Sequence, residues 1–268
     1  MSRQVGVHGE GRKRGLGAGV RRVGRALNAL PNRDMMGLGR RLFADVRRIP
    51  GVNGVAVTFD DGPGEGLDAF LTTLDRAGVR ATFFVVGEQV RAAPGRLTEI
   101  VAAGHEVGLH CDRHLHQLSL TPWAVLEDLR RAQATIEDTT GKPVRLYRPP
   151  YGCYSLASWF EAGRRGWTRV RWSRDPQDWA ADATPDGIVA AVGRPEPGDI
   201  ILLHDSDRYS VPGAWRRTLA ALPRILDAIA AAGLTACPVG ALLDQAGIGR
   251  GPWSARVGFT PERLYRLG

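Results

Sequence analysis

Short apolar runs alternate with longer amphipathic stretches from about residue 54 onward. The apolar runs predict seven β-strands, because each is brief and ends in polar residues or glycine: Val55–Phe59, Ala81–Val86, Glu106–Leu109, Leu146–Arg148, Thr168–Trp172, Ile200–His204 and Leu234–Pro238. The stretches between them carry apolar residues at helical spacing most clearly in four places: Leu67–Ala77, Gln89–Ala103, Pro122–Glu137 and Trp215–Ala232.

This alternation of strand and helix is typical of parallel β/α units. Seven such units that close on themselves predict an α/β fold of the distorted (β/α)7 type, a TIM-like barrel related to the eight-unit form. Catalytic groups in such barrels lie on the loops that follow the C-terminal ends of the strands. An open doubly wound sheet is the alternative, but no G-x-G-x-x-G fingerprint follows the first predicted strand.

The chain divides into three segments by composition. Residues 1–50 are rich in Gly and Arg and predict a basic, flexible arm, in which Met36–Arg47 is compatible with a helix. Residues 51–246 contain all the predicted units and form one folded domain, since 43% of the 268 residues are hydrophobic and can supply its core. Residues 247–268 form a short C-terminal tail.

The net charge of +8 is unevenly distributed along the chain. Residues 1–50 hold 12 basic and 3 acidic residues, a net charge of +9, whereas the other 218 residues hold 24 and 25, a net charge of −1. The basic character therefore belongs to the arm and does not predict a nucleic-acid partner for the domain. Binding of nucleic acid or an anionic surface through the arm is an alternative that predicts a steep dependence on salt.

The sequence shows no targeting or cross-linking features. Three cysteines without C-x-x-C spacing predict neither a disulfide scaffold nor a structural zinc site. The basic N-terminus is not followed by an apolar signal region, and no apolar stretch reaches about 18 residues. We therefore expect a cytoplasmic protein without a membrane span, with a missed start or a non-classical export route as the alternative. Nothing in the sequence indicates an oligomeric state.

Two adjacent carboxylates, Asp60 and Asp61, end the first predicted strand just before Gly-Pro. Because a turn lets the second acid swing aside, one carboxylate can bind a metal while the other accepts a proton. His110 and His114 follow the third strand and are four residues apart, so one helical turn would bring both imidazoles together. With Asp61 they make two nitrogen ligands and one oxygen ligand, a pattern typical of catalytic zinc. Cys111 stands where a zincin H-E-x-x-H motif has its glutamate, which disfavours that protease class.

Five segments in this order resemble the motifs of the polysaccharide deacetylase family, also called the NodB homology domain or carbohydrate esterase family 4. They are Thr58–Pro63, His110–His114, Arg148–Gly152, Asp175–Trp179 and Leu202–Asp205. The second segment departs from the family pattern, because Cys111 stands where Ser or Thr is usual, and Cys153 follows the third. We hypothesise that both thiols lie near the metal, although buried, unpaired cysteines are the simpler interpretation.

The resemblance implies a role for each matching residue. The metal ligands would be Asp61, His110 and His114, holding a divalent cation that is usually zinc, with Co²⁺ or other ions as alternatives. The catalytic residues would be Asp60 as general base, Arg148 orienting it, Tyr151 facing the oxyanion with its backbone N–H, His204 as general acid, and Asp178 as the partner of that acid. Trp179 and Leu202, with Tyr151, would bind the substrate around the acetyl group.

We therefore interpret the chain as a metal-dependent hydrolase that removes N-acetyl groups from an N-acetylated sugar or polysaccharide. Two alternatives retain the chemistry: deacetylation of a small glycosylated metabolite, and hydrolysis of an O-acetyl ester. A third alternative is a non-catalytic protein that binds carbohydrate or an anion, against which the complete set of acids and histidines argues.

Overall fold

The computed structural model describes residues 45–248. Residues 1–44 of the predicted arm, with most of the helix near Met36–Arg47, and nearly all of the predicted tail lie outside these residues. Residues 45–50 are described and are not helical: Val46 forms a bridge to Val170, and Arg48 forms one to Asp199. Seven strands alternate with eight helices in this part of the chain: β1 Gly54–Asp60, α1 Leu67–Arg76, β2 Thr82–Val86, α2 Gly87–Ala92, α3 Pro94–Ala102, β3 Glu106–Cys111, α4 Pro122–Thr140, β4 Leu146–Tyr147, α5 Leu156–Arg165, β5 Thr168–Arg169, α6 Pro185–Val192, β6 Ile200–His204, α7 Ala214–Ala231, β7 Thr235–Cys237 and α8 Val239–Gln245.

All seven strands belong to one parallel sheet. The order is β5-β4-β3-β2-β1-β6, and β7 pairs with the first half of β1. The sheet curls round on itself, because the segment after β5 reaches β6 through a bridge between Arg174 and Ile201. The predicted distorted (β/α)7 barrel is thereby confirmed, and the C-terminal ends of its strands point to the same rim.

Both faces of the central strand β1 are buried, as expected for a parallel sheet covered by helices. Val55, Val57 and Phe59 belong to the larger core, which helices such as α1 and α7 cover. Ala56 belongs to a second, smaller core inside the curl, to which α8 contributes Leu242 and Leu243. Since side chains alternate along a strand, the face that carries Ala56 also carries Thr58 and, at the rim, Asp60.

Several helices differ from those predicted by the sequence pattern. The single helix predicted over Gln89–Ala103 is wrong: the structure has α2 and α3, because Pro94 has no N–H to donate and begins a new helix. Helices α5, α6 and α8 were not predicted. None of the helices within residues 45–248 is long and apolar enough to cross a membrane.

Candidate active site

A cavity of about 370 Å³ opens at the C-terminal ends of the strands. It brings together eight of the ten residues that the sequence analysis selected: Asp60, Asp61, His110, His114, Tyr151, Trp179, Leu202 and His204. The other two, Arg148 and Asp178, do not line the cavity, but each contacts a residue that does: Arg148 contacts Asp60, and Asp178 contacts His204. The sequence analysis did not select five other residues that line it: Gly152, Trp172, Asp175, Tyr209 and Ser210.

Asp60 is fixed by a buried arginine. The Nη1 atom of Arg148 donates to Asp60 Oδ1 at 2.7 Å and to Thr58 Oγ1 at 2.8 Å, and its Nη2 atom donates to the carbonyl of Arg171 at 3.0 Å. The guanidinium is fully buried and lies 4.1 Å from the centre of the Phe84 ring. A buried ion pair with these additional hydrogen bonds holds the side chain of Asp60 in one orientation.

Asp61 turns away from the strand direction. Its φ of 75° lies in the left-handed region, which non-glycine residues adopt only where the surroundings require it. The next residue must be glycine, because a Cβ on Gly62 would collide with the buried carboxylate of Asp205. The predicted separation of two adjacent acids by a turn therefore exists: Asp60 remains beside Arg148, and Asp61 lies beside the two histidines.

The two histidines come together, but not through a helical turn. His110 lies in strand β3, and His114 lies on the loop that follows, so that part of the prediction is wrong. The loop bends back because Asp128 of α4 accepts the backbone N–H groups of Asp112 and Arg113 at 2.8 and 3.0 Å. The imidazole centroids are consequently 5.2 Å apart.

Asp61, His110 and His114 form a group of atoms that fits a metal cation. One ligand atom from each lies within 4.8 Å of the others. Both Nε2 atoms face the same oxygen, Asp61 Oδ1, at 3.3 and 3.2 Å, yet this buried oxygen makes no hydrogen bond. His110 Nδ1 must donate to the carbonyl of Arg148, 2.7 Å away, so a neutral imidazole presents a lone pair from Nε2 to the carboxylate. Lone pairs that converge in this way are matched by a cation at their centre.

The charges of this group follow from its surroundings. Burial acts to raise the pKa of Asp61, but in the metal-free site the imidazoles of His110 and His114, when protonated at Nε2, outweigh it and hold that pKa well below its usual range. Asp61 therefore remains a carboxylate, the form that binds a cation.

His204 faces this group from the neighbouring strand. In the β1–β6 register its Cα is paired with that of Asp60. His204 Nδ1 lies 2.7 Å from Asp178 Oδ1, and the other oxygen of Asp178 accepts the backbone N–H of His204 and the hydroxyl of Thr218, each at 2.8 Å. Burial acts to lower the pKa of His204, but the Asp178 carboxylate and the acids Asp60 and Asp61 raise it to about 10. The imidazole is therefore protonated at neutral pH.

The walls of the cavity combine apolar and aromatic side chains. Leu202 lies on the same face of β6 as His204 and is buried, as predicted from their spacing. Trp179 is 44% exposed and Tyr151 is 56% exposed at the opening. Tyr151 has a φ of 57°, in the left-handed region, so the backbone of the tight turn Pro150–Gly152 follows a path that neither a helix nor a strand allows.

Three of the overlooked residues differ in how far the sequence could have located them. Trp172 closes the space beside Gly152, where a Cβ would collide with the indole. Asp175 lies within the fourth segment quoted above and could have been selected with it. Tyr209 lies on the loop between β6 and α7, five residues after His204, and no motif or periodicity marks it.

The two cysteines of the hypothesis lie beside the site and not in it. Cys111 is buried at the end of β3, and burial raises the pKa of its thiol well above the ordinary value. Cys153 is half-buried after the tight turn. Neither thiol lines the cavity or belongs to the group formed by Asp61 and the two histidines.

Known proteins resemble this chain in sequence and fold. A family model described as polysaccharide deacetylase matches residues 48–170. A peptidoglycan-N-acetylglucosamine deacetylase of Bacillus cereus is 33% identical over 177 residues, which cover 64% of this chain and 79% of the relative. A solved family 4 carbohydrate esterase from Streptomyces lividans, in complex with acetate, has a TM-score of 0.62 at 36% identity and covers 69% of this chain and 93% of its own. A CE4 family pseudoenzyme from Bacillus anthracis has a TM-score of 0.68 at 27% identity, with coverage of 76% and 70%.

Proposed function

Since the chain belongs to the polysaccharide deacetylase family, we propose that it hydrolyses the N-acetyl amide of N-acetylglucosamine units in a polysaccharide or oligosaccharide, using zinc. One arrangement supports this above all: a buried acid and a protonated imidazole occupy paired positions on two adjacent strands, beside a group that fits a cation. Amide hydrolysis needs these two groups, because the water must lose a proton and the amine must gain one.

Zinc is proposed because the candidate ligands are two imidazoles and one carboxylate, His110, His114 and Asp61, in a site open to the cavity. Co²⁺ accepts similar ligands and is the natural substitute for spectroscopy. When bound, the cation would polarise the acetyl carbonyl and acidify the attacking water.

The protein's own residues supply the proton transfers. Asp60, oriented by Arg148, would accept a proton from water as the water oxygen bonds to the acetyl carbon. The backbone N–H of Tyr151 would donate to the carbonyl oxygen as its negative charge develops. His204 would then donate its proton to the nitrogen as the C–N bond breaks, which releases acetate and a free amine. Leu202 and Trp179 would surround the acetyl methyl group and exclude water from it.

Two observations favour catalysis over a silent binding module, although one structural neighbour is described as a pseudoenzyme. The cavity is lined by all five acids and histidines of the proposed mechanism: Asp60, Asp61, His110, His114 and His204. Two of these have buried partners, since Arg148 orients Asp60 and Asp178 contacts His204. A sugar polymer is favoured over a small metabolite because Tyr151 and Trp179 lie exposed at the opening, where aromatic rings can contact neighbouring sugar units.

The test is acetate release from a panel of N-acetylglucosamine oligomers and from peptidoglycan by zinc-loaded protein. Asp60→Asn, which keeps the shape of the side chain but removes its basicity, should lower kcat by about 10²–10⁴-fold. An O-acetylated sugar and a small N-acetylated glycoside in the same panel would identify the alternative substrates. Zinc binding without acetate release from any member of the panel would contradict the proposal.

A further inference from the structure

The two candidate ligand histidines are held in different ways. His110 has the arrangement usual for metal-binding histidines, since its Nδ1 atom donates to the carbonyl of Arg148 at 2.7 Å and thereby fixes the ring. His114 has no such hydrogen bond: its Nδ1 atom is buried and without a partner in the part of the chain that the structure describes. Something other than a hydrogen bond must therefore fix the plane of the His114 ring.

Two aromatic rings contact the imidazole of His114. Tyr209 stacks on it with a centroid separation of 4.4 Å and an angle of 15° between the planes, and Tyr151 meets it edge-on at 4.7 Å and 63°. Offset stacks and edge-to-face contacts stabilise aromatic pairs beyond the area they bury. Tyr151 is more than half exposed, whereas Tyr209 lies nearly parallel to the imidazole, so Tyr209 restricts its tilt more closely.

Tyr209 is itself anchored on the opposite side. Its hydroxyl donates to Glu88 Oε1 at 2.6 Å and accepts from Gln89 Nε2 at 3.0 Å, and both residues lie in the first turn of α2. The same turn contacts the loop that carries His114, because the backbone N–H of Glu88 donates to the carbonyl of Asp112 at 3.0 Å. The side chain of Tyr209 thus links the β6–α7 loop to α2, and its ring stacks on the imidazole of His114.

We propose that Tyr209 is a positioning residue for the metal site: its ring, anchored by α2, fixes the orientation of His114 by stacking in place of a hydrogen bond. This inference rests on the proposed metal site. It links metal binding to the β6–α7 loop, which supplies no ligand.

The experiment measures the affinity of the metal-free protein for Zn²⁺ by competition with a chromogenic chelator. Two variants remove the aromatic ring: Tyr209→Leu, which retains bulk, and Tyr209→Ala. Each should weaken Zn²⁺ binding by about 10–100-fold, the usual loss when the group that orients a ligand histidine is removed. Tyr209→Phe keeps the ring but loses the hydroxyl that anchors it to α2, so its loss of Zn²⁺ affinity should be smaller than that of Tyr209→Leu. Co²⁺ spectra should change in the Leu and Ala variants, because the ligand field depends on the orientation of His114.

Trp179→Ala is the matched control, since Trp179 lines the same cavity without a ring contact to His114, and its Zn²⁺ affinity should equal that of the parent. Metal-free melting temperatures separate misfolding from loss of affinity, and Tyr209→Leu decides if the Ala variant does not fold. Parent-like affinity and spectrum in Tyr209→Leu would overturn the proposal, as would a Phe variant as weak as the Leu variant. A parent protein that binds Zn²⁺ but releases no acetate would refute only the proposed function.

Discussion

The residues at the strand ends and the residues on the loops of this site differ in how firmly they are held. Asp60, His110 and Arg148 are at most 3% exposed, and each makes at least one buried hydrogen bond. Tyr151 and Trp179, on loops, are 56% and 44% exposed. The residues proposed to transfer protons and the candidate ligand His110 thus lie at strand ends, while those proposed to contact the sugar are more exposed, a division expected where one reaction serves several substrates.

The largest expected effect comes from removing the arginine on the strand side. Arg148→Met should lower the free energy of unfolding by about 3–5 kcal/mol, because it leaves the Asp60 carboxylate buried without its partner. Urea denaturation of the metal-free protein measures this loss. Arg164→Met removes an exposed arginine paired with Glu161 and should leave the urea midpoint nearly unchanged. Equal effects from the two variants would show that the buried pair at the strand end is held no more firmly than an exposed pair on helix α5.

The next effect concerns the acid. Asp178→Asn should move the alkaline limb of the activity profile to lower pH and reduce activity about 10²-fold at pH 9, since burial then lowers the pKa of His204 against the smaller opposing effect of Asp60 and Asp61. Thr218→Val removes one hydrogen bond to Asp178 but leaves its charge, so its profile should shift much less. An unshifted profile in Asp178→Asn would show that another group is the acid.

The same pair predicts how stability depends on pH. His204 has a pKa raised to about 10 in the folded protein, so its pairing with Asp178 stabilises the fold fully below pH about 6.5. This contribution is lost as the pH rises towards 10. The melting temperatures of metal-free parent and Asp178→Asn should therefore converge with rising pH, and a constant difference across that range would contradict the assignment.

The smallest effect is expected on the loop side. Trp179→Ala should raise KM roughly tenfold with little change in kcat, because the indole contacts substrate but moves no proton. Trp123→Ala removes an indole that is 81% exposed and does not line the cavity, and it should alter neither constant. A large fall in kcat for Trp179→Ala would place this loop with the catalytic strands.

The same division explains what the sequence could predict. Short apolar runs indicate the strands, so the sequence predicts which residues lie at their ends, such as Asp60, His110 and His204. Helices α5 and α6 carry local signals, Ser155 and Thr184 as N-caps, but their apolar patterns are short. Tyr209 could not be predicted, because its stacking on His114 depends on a loop path and on an anchor 120 residues away in the chain.

The register between β1 and β6 fixes the distance between two backbone positions of the site. Asp60 and His204 occupy paired positions on hydrogen-bonded neighbours, and neighbouring strands of any sheet lie about 4.8 Å apart. The Cα spacing between the proposed proton acceptor and the proposed proton donor is therefore set by the backbone ladder and not by the length of the surrounding loops. Evolution can therefore exchange the sugars that such a barrel accepts while this spacing stays constant, and a designer who grafts new loops onto the rim would need to retain only the loop positions that carry His114, Tyr151 and Asp178.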